Sequence, residues 1–111
     1  MEFKSGDVIT VDFSGVKGIK RRPAVIVSSS VYHKNRPDVI IGLITSQTKN
    51  LGVTDYILQD WSSAGLKVRS IFRSFLVTIP SSNNLIYIGH LSERDWQGIC
   101  DCLKIALIEI K

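Results

Sequence analysis

The sequence predicts a small α+β domain in which a curled antiparallel sheet or barrel of roughly six short strands is closed by one helix. As far as residue 90, short runs of apolar and β-branched residues are separated by polar turns, which is typical of strands. After Ser92 the apolar period changes to three- and four-residue steps, which indicates an amphipathic helix. A chain of 111 residues is long enough for one hydrophobic core, so we expect a single domain over residues 1–111.

The strands follow from their patterns in chain order. DVITVDF alternates apolar and polar residues, as a half-buried strand does, whereas PAVIV and DVIIGLIT are apolar throughout and predict strands buried on both faces. The glycines and cations of SGVKGIKR predict a flexible loop before Arg22, and SSSVYHKNRP can hold a short helical turn. Three weaker segments complete the predicted sheet: residues 53–58, 70–79 and 85–88.

The predicted helix begins at SERD, which reads as a capping box. Its apolar stripe is formed by Trp96, Ile99, Leu103, Ala106 or Leu107, and Ile110. Ile105 and Ile108 lie off that stripe and suggest a second contact such as a subunit interface. The apolar tail KIALIEIK is expected to be buried.

Composition and charge restrict the class of protein. The chain is 44% hydrophobic and 22% charged, which is typical of a globular domain, and no apolar run approaches the roughly 20 residues of a membrane span. We therefore expect a cytoplasmic protein with no membrane partner. Cys100 and Cys102 are too close on a helix to form a disulfide with each other, so reduced thiols are expected.

Positive charge is segregated along the chain. The net charge is +4, and residues 13–37 and 61–92 contain bases and no acid. Acids elsewhere occur singly, and the motifs of nucleotide, dinucleotide and zinc-protease sites are missing, so no metal or other cofactor is expected. A basic surface of this kind is typical of a protein that binds a polyanion.

Arg22 and Thr45 are the residues whose chemistry fits such a polyanion best. RNA can be cleaved without a metal because its own 2′-hydroxyl is the nucleophile, and the protein must then stabilise the charge of the phosphorane. A guanidinium binds two phosphate oxygens at once and a hydroxyl can bind a third. Each of these two residues ends an apolar strand in the prediction, although each could also be an ordinary strand-end residue.

Several motifs, in this order, resemble the MazF/PemK family of bacterial toxin ribonucleases. They are G-D-V-x-x-V-D-F from Gly6, R-P-A-V-I-V from Arg22, L-I-T-S-Q from Leu43, IFRSF around Arg73, and I-G-H-L-S from Ile88. The resemblance implies the small SH3-like barrel that MazF/PemK-like and CcdB-like toxins share. It also implies a homodimer, metal-independent cleavage of single-stranded mRNA to 2′,3′-cyclic phosphate and 5′-hydroxyl ends, and neutralisation by a cognate antitoxin.

The resemblance also implies roles for particular residues. Arg22 is the implied catalytic arginine and Thr45 its hydroxyl partner. The implied RNA contacts are Lys17, Lys20, Arg21, Ser46, Gln47 and Arg73. The chain departs from the family in lacking a Glu-Gln pair before Arg22, and in having Phe75 where some relatives have an acid. Both departures bear on proton transfer and base preference.

Two other functions remain open from the sequence. One is a non-catalytic family member that binds RNA without cutting it. The other is a protein-binding poison on the same barrel, of the kind that traps DNA gyrase through its C-terminal helix. The sequence argues against the poison because the tail KIALIEIK looks buried, whereas a partner-binding helix end should be exposed.

Overall fold

A computed structural model describes residues 2–16, 18–47 and 49–109. Within that part of the chain, six strands form one sheet in the order β4-β5-β3-β2-β1-β6, and every neighbouring pair is antiparallel. The elements are β1 (Asp7–Gly15), β2 (Gly18–Ile26), α1 (Ser30–Asn35), β3 (Asp38–Thr45), β4 (Asp55–Ile57), β5 (Ile71–Pro80), β6 (Ile86–His90) and α2 (Glu93–Leu107). This is the architecture that the sequence predicts.

The segment between the first two strands differs from the prediction. Residues 14–21 were expected to be a flexible loop, but β1 continues to Gly15 and β2 begins at Gly18, and these two glycines face each other in the ladder. Gly18 has a φ of +104°, a conformation that glycine adopts without strain. The two glycines therefore close the ladder on either side of the chain reversal, and Lys20 and Arg21 lie on a two-stranded extension, here called the β1–β2 arm (residues 12–16 and 18–21).

Two apolar clusters lie on opposite faces of the sheet. The first is covered by α2 and by the loop after β4; its buried members are Val8, Val25, Ile44, Leu58, Ala64, Leu66, Phe72, Leu91 and Ile99. The second contains Ile9, Val11, Ala24, Ile26, Val39 and Ile41. Ala24, Val25 and Ile26 are all fully buried, which confirms that the predicted strand PAVIV is covered on both faces.

The register of β3 against β5 shifts between Gly42 and Ile44. A Cβ atom at Gly42 would overlap the ring of Phe72, the largest fully buried side chain of the core. Glycine is therefore needed here so that the ring can cross close to the β3 backbone. The irregularity lies three residues before the end of β3, next to the site described below.

The buried carboxylate of Asp95 joins α2 to the rest of the fold. It accepts hydrogen bonds from the hydroxyl of Tyr56 (2.8 Å) and from the backbone N–H groups of Gln59 (2.9 Å) and Asp60 (2.8 Å). Burial, and then the bond to Asp95, raise the pKa of Tyr56 to about 12. Ser92 caps the helix as predicted, but the Asp95 carboxylate bonds to Tyr56 and the loop after β4 instead of completing a capping box.

The C-terminal tail contradicts the sequence prediction. Ile105, Leu107 and Ile108 are about 60% exposed, at 59, 62 and 59%, although the tail was expected to be buried. The buried residues of α2 are Asp95, Ile99 and Cys102, so the helix leaves the sheet surface in its last turn. Ile110, predicted to continue the stripe, lies outside the described residues.

None of the helices in the described ranges is long and apolar enough to cross a membrane.

Candidate functional site

The sheet forks between β2 and β3. These strands pair only from Ala24, opposite Leu43, to Ile26. Beyond that point β2 stays paired with β1, whereas β3 stays paired with β5 as far as Thr45. Arg22 therefore lies on one branch of the fork and Thr45 on the other, each two residues past the last β2–β3 pair.

Two clefts open at this fork. One has a volume of about 430 Å³ and is called here the Lys67 cleft; it is lined by Thr10, Arg22, Pro23, Ile44, Thr45, Ser46, Gly65, Leu66, Lys67, Val68, Ser70 and Ile88. The other has a volume of about 350 Å³ and is called the Phe75 cleft; it is lined by Arg22, Leu43, Ile44, Thr45, Gln47, Arg73 and Phe75. Arg22, Ile44 and Thr45 line both clefts, and none of the described lining residues is acidic.

Arg22 differs sharply from the arginine beside it. Arg21 forms an ion pair with Asp12 (3.0 Å) and donates to the Thr10 hydroxyl (3.1 Å), the Thr10 carbonyl (3.0 Å) and the Asn84 carbonyl (2.7 Å). Across the described residues, no hydrogen bond or ion pair is recorded for the side chain of Arg22, which is exposed. Arg22 is therefore available to a ligand in the clefts, while Arg21 holds the β1–β2 arm together.

The hydroxyl of Thr45 is held in a defined position. Its oxygen accepts a hydrogen bond from the backbone N–H of Gln47 at 3.1 Å. Because that bond uses an oxygen lone pair, the hydroxyl hydrogen remains available to donate to a ligand. Thr45 is also paired with Ile71 of β5, so its backbone belongs to the sheet while its side chain faces the clefts.

Arg73 supports the loop that follows Thr45. Its guanidinium donates to the Asp55 carboxylate (3.2 Å) and to the backbone carbonyls of Gln47 (3.4 Å) and Lys49 (3.0 Å). The Arg73 side chain is still 31% exposed and lines the Phe75 cleft. It can therefore both position this loop and contribute positive charge to the cleft.

The other residues predicted to contact RNA lie around the fork or on the arm. Ser46 lines the Lys67 cleft and Gln47 the Phe75 cleft, and both are exposed. Lys20 is exposed on the arm, whereas Lys17 lies outside the described residues.

The sequence did not predict that residues 65–70 form one wall of the Lys67 cleft. Lys67, Val68 and Ser70 line the Lys67 cleft, but they follow a polar loop whose position the sequence does not indicate. The acid-free charge pattern of residues 61–92 is the signal that could have pointed to Lys67.

The two histidines lie outside both clefts. Nδ1 of His90 contacts Asp7 at 2.8 Å, and His33 contacts the Ser28 hydroxyl and the Phe3 carbonyl. Three or more His, Cys, Asp or Glu side chains are nowhere grouped as metal ligands in the described ranges.

Comparison with known proteins identifies the family. The profile of the PemK-like, MazF-like toxins of type II toxin–antitoxin systems matches residues 4–107. The chain belongs to this toxin family. The predicted resemblance is thereby confirmed, whereas no curated protein sequence matches the chain.

Solved structures of MazF proteins share the fold of this toxin. An endoribonuclease in complex with its cognate antitoxin, from a mycobacterial species, superposes with a TM-score of 0.76 at 18% identity, covering 98% of this chain and 100% of that one. A MazE–MazF complex from Deinococcus radiodurans gives 0.75 at 18% identity, covering 95% of each chain. The Mycobacterium tuberculosis toxin MazF-mt6 gives 0.66 at 22% identity, covering 87% and 94%. These similarities confirm the predicted SH3-like barrel fold.

Proposed function

We propose that this PemK/MazF-like toxin is a metal-independent, sequence-specific endoribonuclease that cleaves single-stranded mRNA in the cytoplasm and thereby inhibits translation and growth. The observation that carries the proposal is the Arg22 guanidinium, which is unpaired among the described residues and shares two clefts, with no acid in their described lining, with the positioned hydroxyl of Thr45. Family membership and the fold shared with endoribonucleases support the same activity.

The geometry supports charge stabilisation rather than proton removal by Arg22. The 2′-hydroxyl attacks the adjacent phosphorus, Arg22 donates to two phosphate oxygens, and Thr45 donates to a third. The bond to the 5′-oxygen breaks and this oxygen takes up a proton from Arg22 or water, which leaves a 2′,3′-cyclic phosphate and a 5′-hydroxyl. Since the pKa of an arginine lies above about 12, Arg22 is a poor base, and the 2′-proton is assigned to water or another group.

Cleavage of a long single-stranded RNA in excess chelator tests this proposal. We expect cyclic-phosphate and 5′-hydroxyl ends at defined sequences with the wild-type protein, and no cleavage with Arg22→Ala. Thr45→Val should lower kcat by about 10²- to 10³-fold, since one donor to the developing charge is lost, while Thr45→Ser should retain most activity. Full activity of Arg22→Lys would contradict the bidentate role of Arg22.

The proposed partners are single-stranded RNA, a cognate antitoxin and a second copy of the chain. Solved relatives include a MazE–MazF complex and an endoribonuclease bound to its antitoxin, which supports an antitoxin for this chain as well. The exposed apolar end of α2 supports a homodimer or another protein contact, because it leaves apolar surface uncovered. Sedimentation of the purified chain distinguishes a dimer from a monomer.

The exposed end of α2 also favours one alternative function. The sequence argued against a protein-binding poison because the tail looked buried, but Ile105, Leu107 and Ile108 are exposed. A poison would act through this helix end and would not need Arg22. Growth inhibition that survives Arg22→Ala but is lost on Leu107→Asp would identify this second function, and RNA binding without cleavage would identify a non-catalytic family member.

A further inference from the structure

Phe75 is an exposed aromatic residue on a strand whose other large residues are packed. Ile71 and Phe72 are fully buried, and Val77 and Ile79 pack against the second core cluster. Phe75 belongs to neither core cluster, and 60% of its surface is exposed. Its ring therefore contributes little to the core of the fold as described.

The surroundings of Phe75 indicate what could cover its ring. Phe75 lines the same 350 Å³ cleft as Arg22, Thr45 and Arg73, and the exposed Gln47 lines it too. An apolar peptide would leave the Arg22 guanidinium without an anionic partner, although Arg73 is already paired with Asp55. Single-stranded RNA carries both phosphates and flat bases. Its phosphates can bind the guanidinium groups while a base stacks on the aromatic ring.

We propose that Phe75 is a base-stacking residue that binds a nucleobase next to the phosphate held by Arg22 and Thr45. This inference rests on the proposed function, and it assigns a subsite to a residue that stands where some relatives have an acid. The π-face of the Phe75 ring supplies affinity for any base, and the Gln47 amide can hydrogen-bond to its edge. The Phe75 cleft thus holds one nucleotide beside the scissile bond, and the Lys67 cleft shares Arg22 and Thr45 with it.

The test measures binding separately from cleavage. A short RNA carrying a mapped cleavage site, with a 2′-O-methyl group on the attacking ribose, is titrated against each variant by fluorescence anisotropy. We expect Phe75→Ala to weaken binding about 5- to 150-fold, the range measured for removing one aromatic–base stack. Phe75→Tyr keeps the ring and should bind as the wild type does, as should Val53→Ala, a change at a 76% exposed residue that lines neither cleft.

An abasic series identifies the stacked base. Each nucleotide near the scissile bond is replaced in turn by an abasic one, and the loss of affinity is compared between the wild type and Phe75→Ala. At one position the wild type should lose clearly more affinity than Phe75→Ala does, because the stacking partner is already gone in the variant. The same loss in both proteins at every position would overturn the inference.

The failure of this inference is distinguishable from the failure of the proposed function. If the wild type binds and cleaves RNA and Phe75→Ala does so equally well, only the stacking role is wrong. Dissociation of a dimer by Phe75→Ala, with RNA affinity unchanged, would also overturn it and would assign the ring to a subunit interface. If the wild type neither binds nor cleaves any RNA, the proposed function fails and the inference fails with it.

Discussion

Two adjacent arginines have different environments because side chains alternate across a strand. Arg21 lies opposite Asp12 in the ladder and reaches Thr10 on the same face, so its guanidinium is fully engaged. Arg22 lies opposite Val11, an apolar residue that offers it no partner. Consecutive positions on β2 therefore hold arginines with different roles. Arg21 stabilises the arm, whereas Arg22 is available to a ligand.

This contrast predicts opposite effects on stability and activity. Arg21→Ala should lower the free energy of unfolding by about 1–3 kcal/mol, because it removes charged hydrogen bonds to β1 and to the turn before β6. Arg22→Ala should change it by no more than about 0.5 kcal/mol, since no recorded contact is lost. Urea unfolding of both variants measures the difference, and RNA cleavage should be abolished only by Arg22→Ala. Equal destabilisation by the two changes would contradict this assignment.

At the scale of the elements, two sets of contacts position the walls of the clefts. One is the pairing of β3 with β5, and the other is the contact between α2 and the loop after β4. β3 presents Thr45 and the loop after it, which Arg73 ties to Asp55. On the other side, Asp95 holds the start of the loop that goes on to form the wall at residues 65–70. Both walls therefore depend on contacts that cross between strands, helix and loop.

The close approach of Phe72 to β3 predicts a steric effect at Gly42. Gly42→Ala should lower the free energy of unfolding by about 1–3 kcal/mol, because the new methyl group overlaps a buried ring in a packed core. Gly52→Ala is the matched control, since the nearest atom to a Cβ there is a carboxylate oxygen 3.9 Å away. Chemical denaturation compares the two, and a stability loss no larger at Gly42 than at Gly52 would disprove the steric explanation.

The contact between α2 and the loop after β4 predicts acid sensitivity. Hydrogen bonds from Arg94, and then from Ser92, lower the pKa of Asp60 from 3.8 to about 2. A carboxyl group whose pKa is lower in the folded state stabilises the fold above its unfolded pKa, and this contribution is lost as the pH falls from 3.8 through about 2. Asp60→Asn should therefore flatten the fall in stability over this interval. The free energy of unfolding is measured against pH for the wild type and for Asp60→Asn. An equally steep fall in both proteins would rule this explanation out.

At the scale of the whole molecule, charge is distributed so that the clefts remain positive. Of the six arginines in the sequence, Arg21, Arg36, Arg73 and Arg94 form ion pairs with aspartates. Arg22 and Lys67, at the clefts, form none among the described residues. Two cleft cations, Arg22 and Lys67, thus remain available to a ligand, whereas Arg73, which also lines the Phe75 cleft, is paired with Asp55.

This distribution predicts a salt-dependent affinity for RNA. The logarithm of the binding constant should fall linearly with the logarithm of salt concentration, with a slope of about −0.7 for each phosphate contact on single-stranded RNA. Lys67→Ala should reduce the magnitude of the slope by about 0.7, and Lys34→Ala, which lies on α1 outside both clefts, should not. Binding measured over a range of salt concentrations tests this, and identical slopes for the two variants would exclude Lys67 from phosphate contact.

The sequence by itself determined the six strands, the closing helix and the family, because each of these depends on residue patterns along the chain, whereas Arg22 and Thr45 as site residues stay a prediction. Only the tertiary structure decided that the cation-rich segment is a hairpin arm, that the tail of α2 is exposed, and that Arg21 is engaged while Arg22 is not. The clefts with Lys67 and Phe75 arise where β2 and β3 separate and distant segments come together. Which partners a side chain meets across such a fork depends on long-range register and packing, and no local pattern in the sequence carries that information.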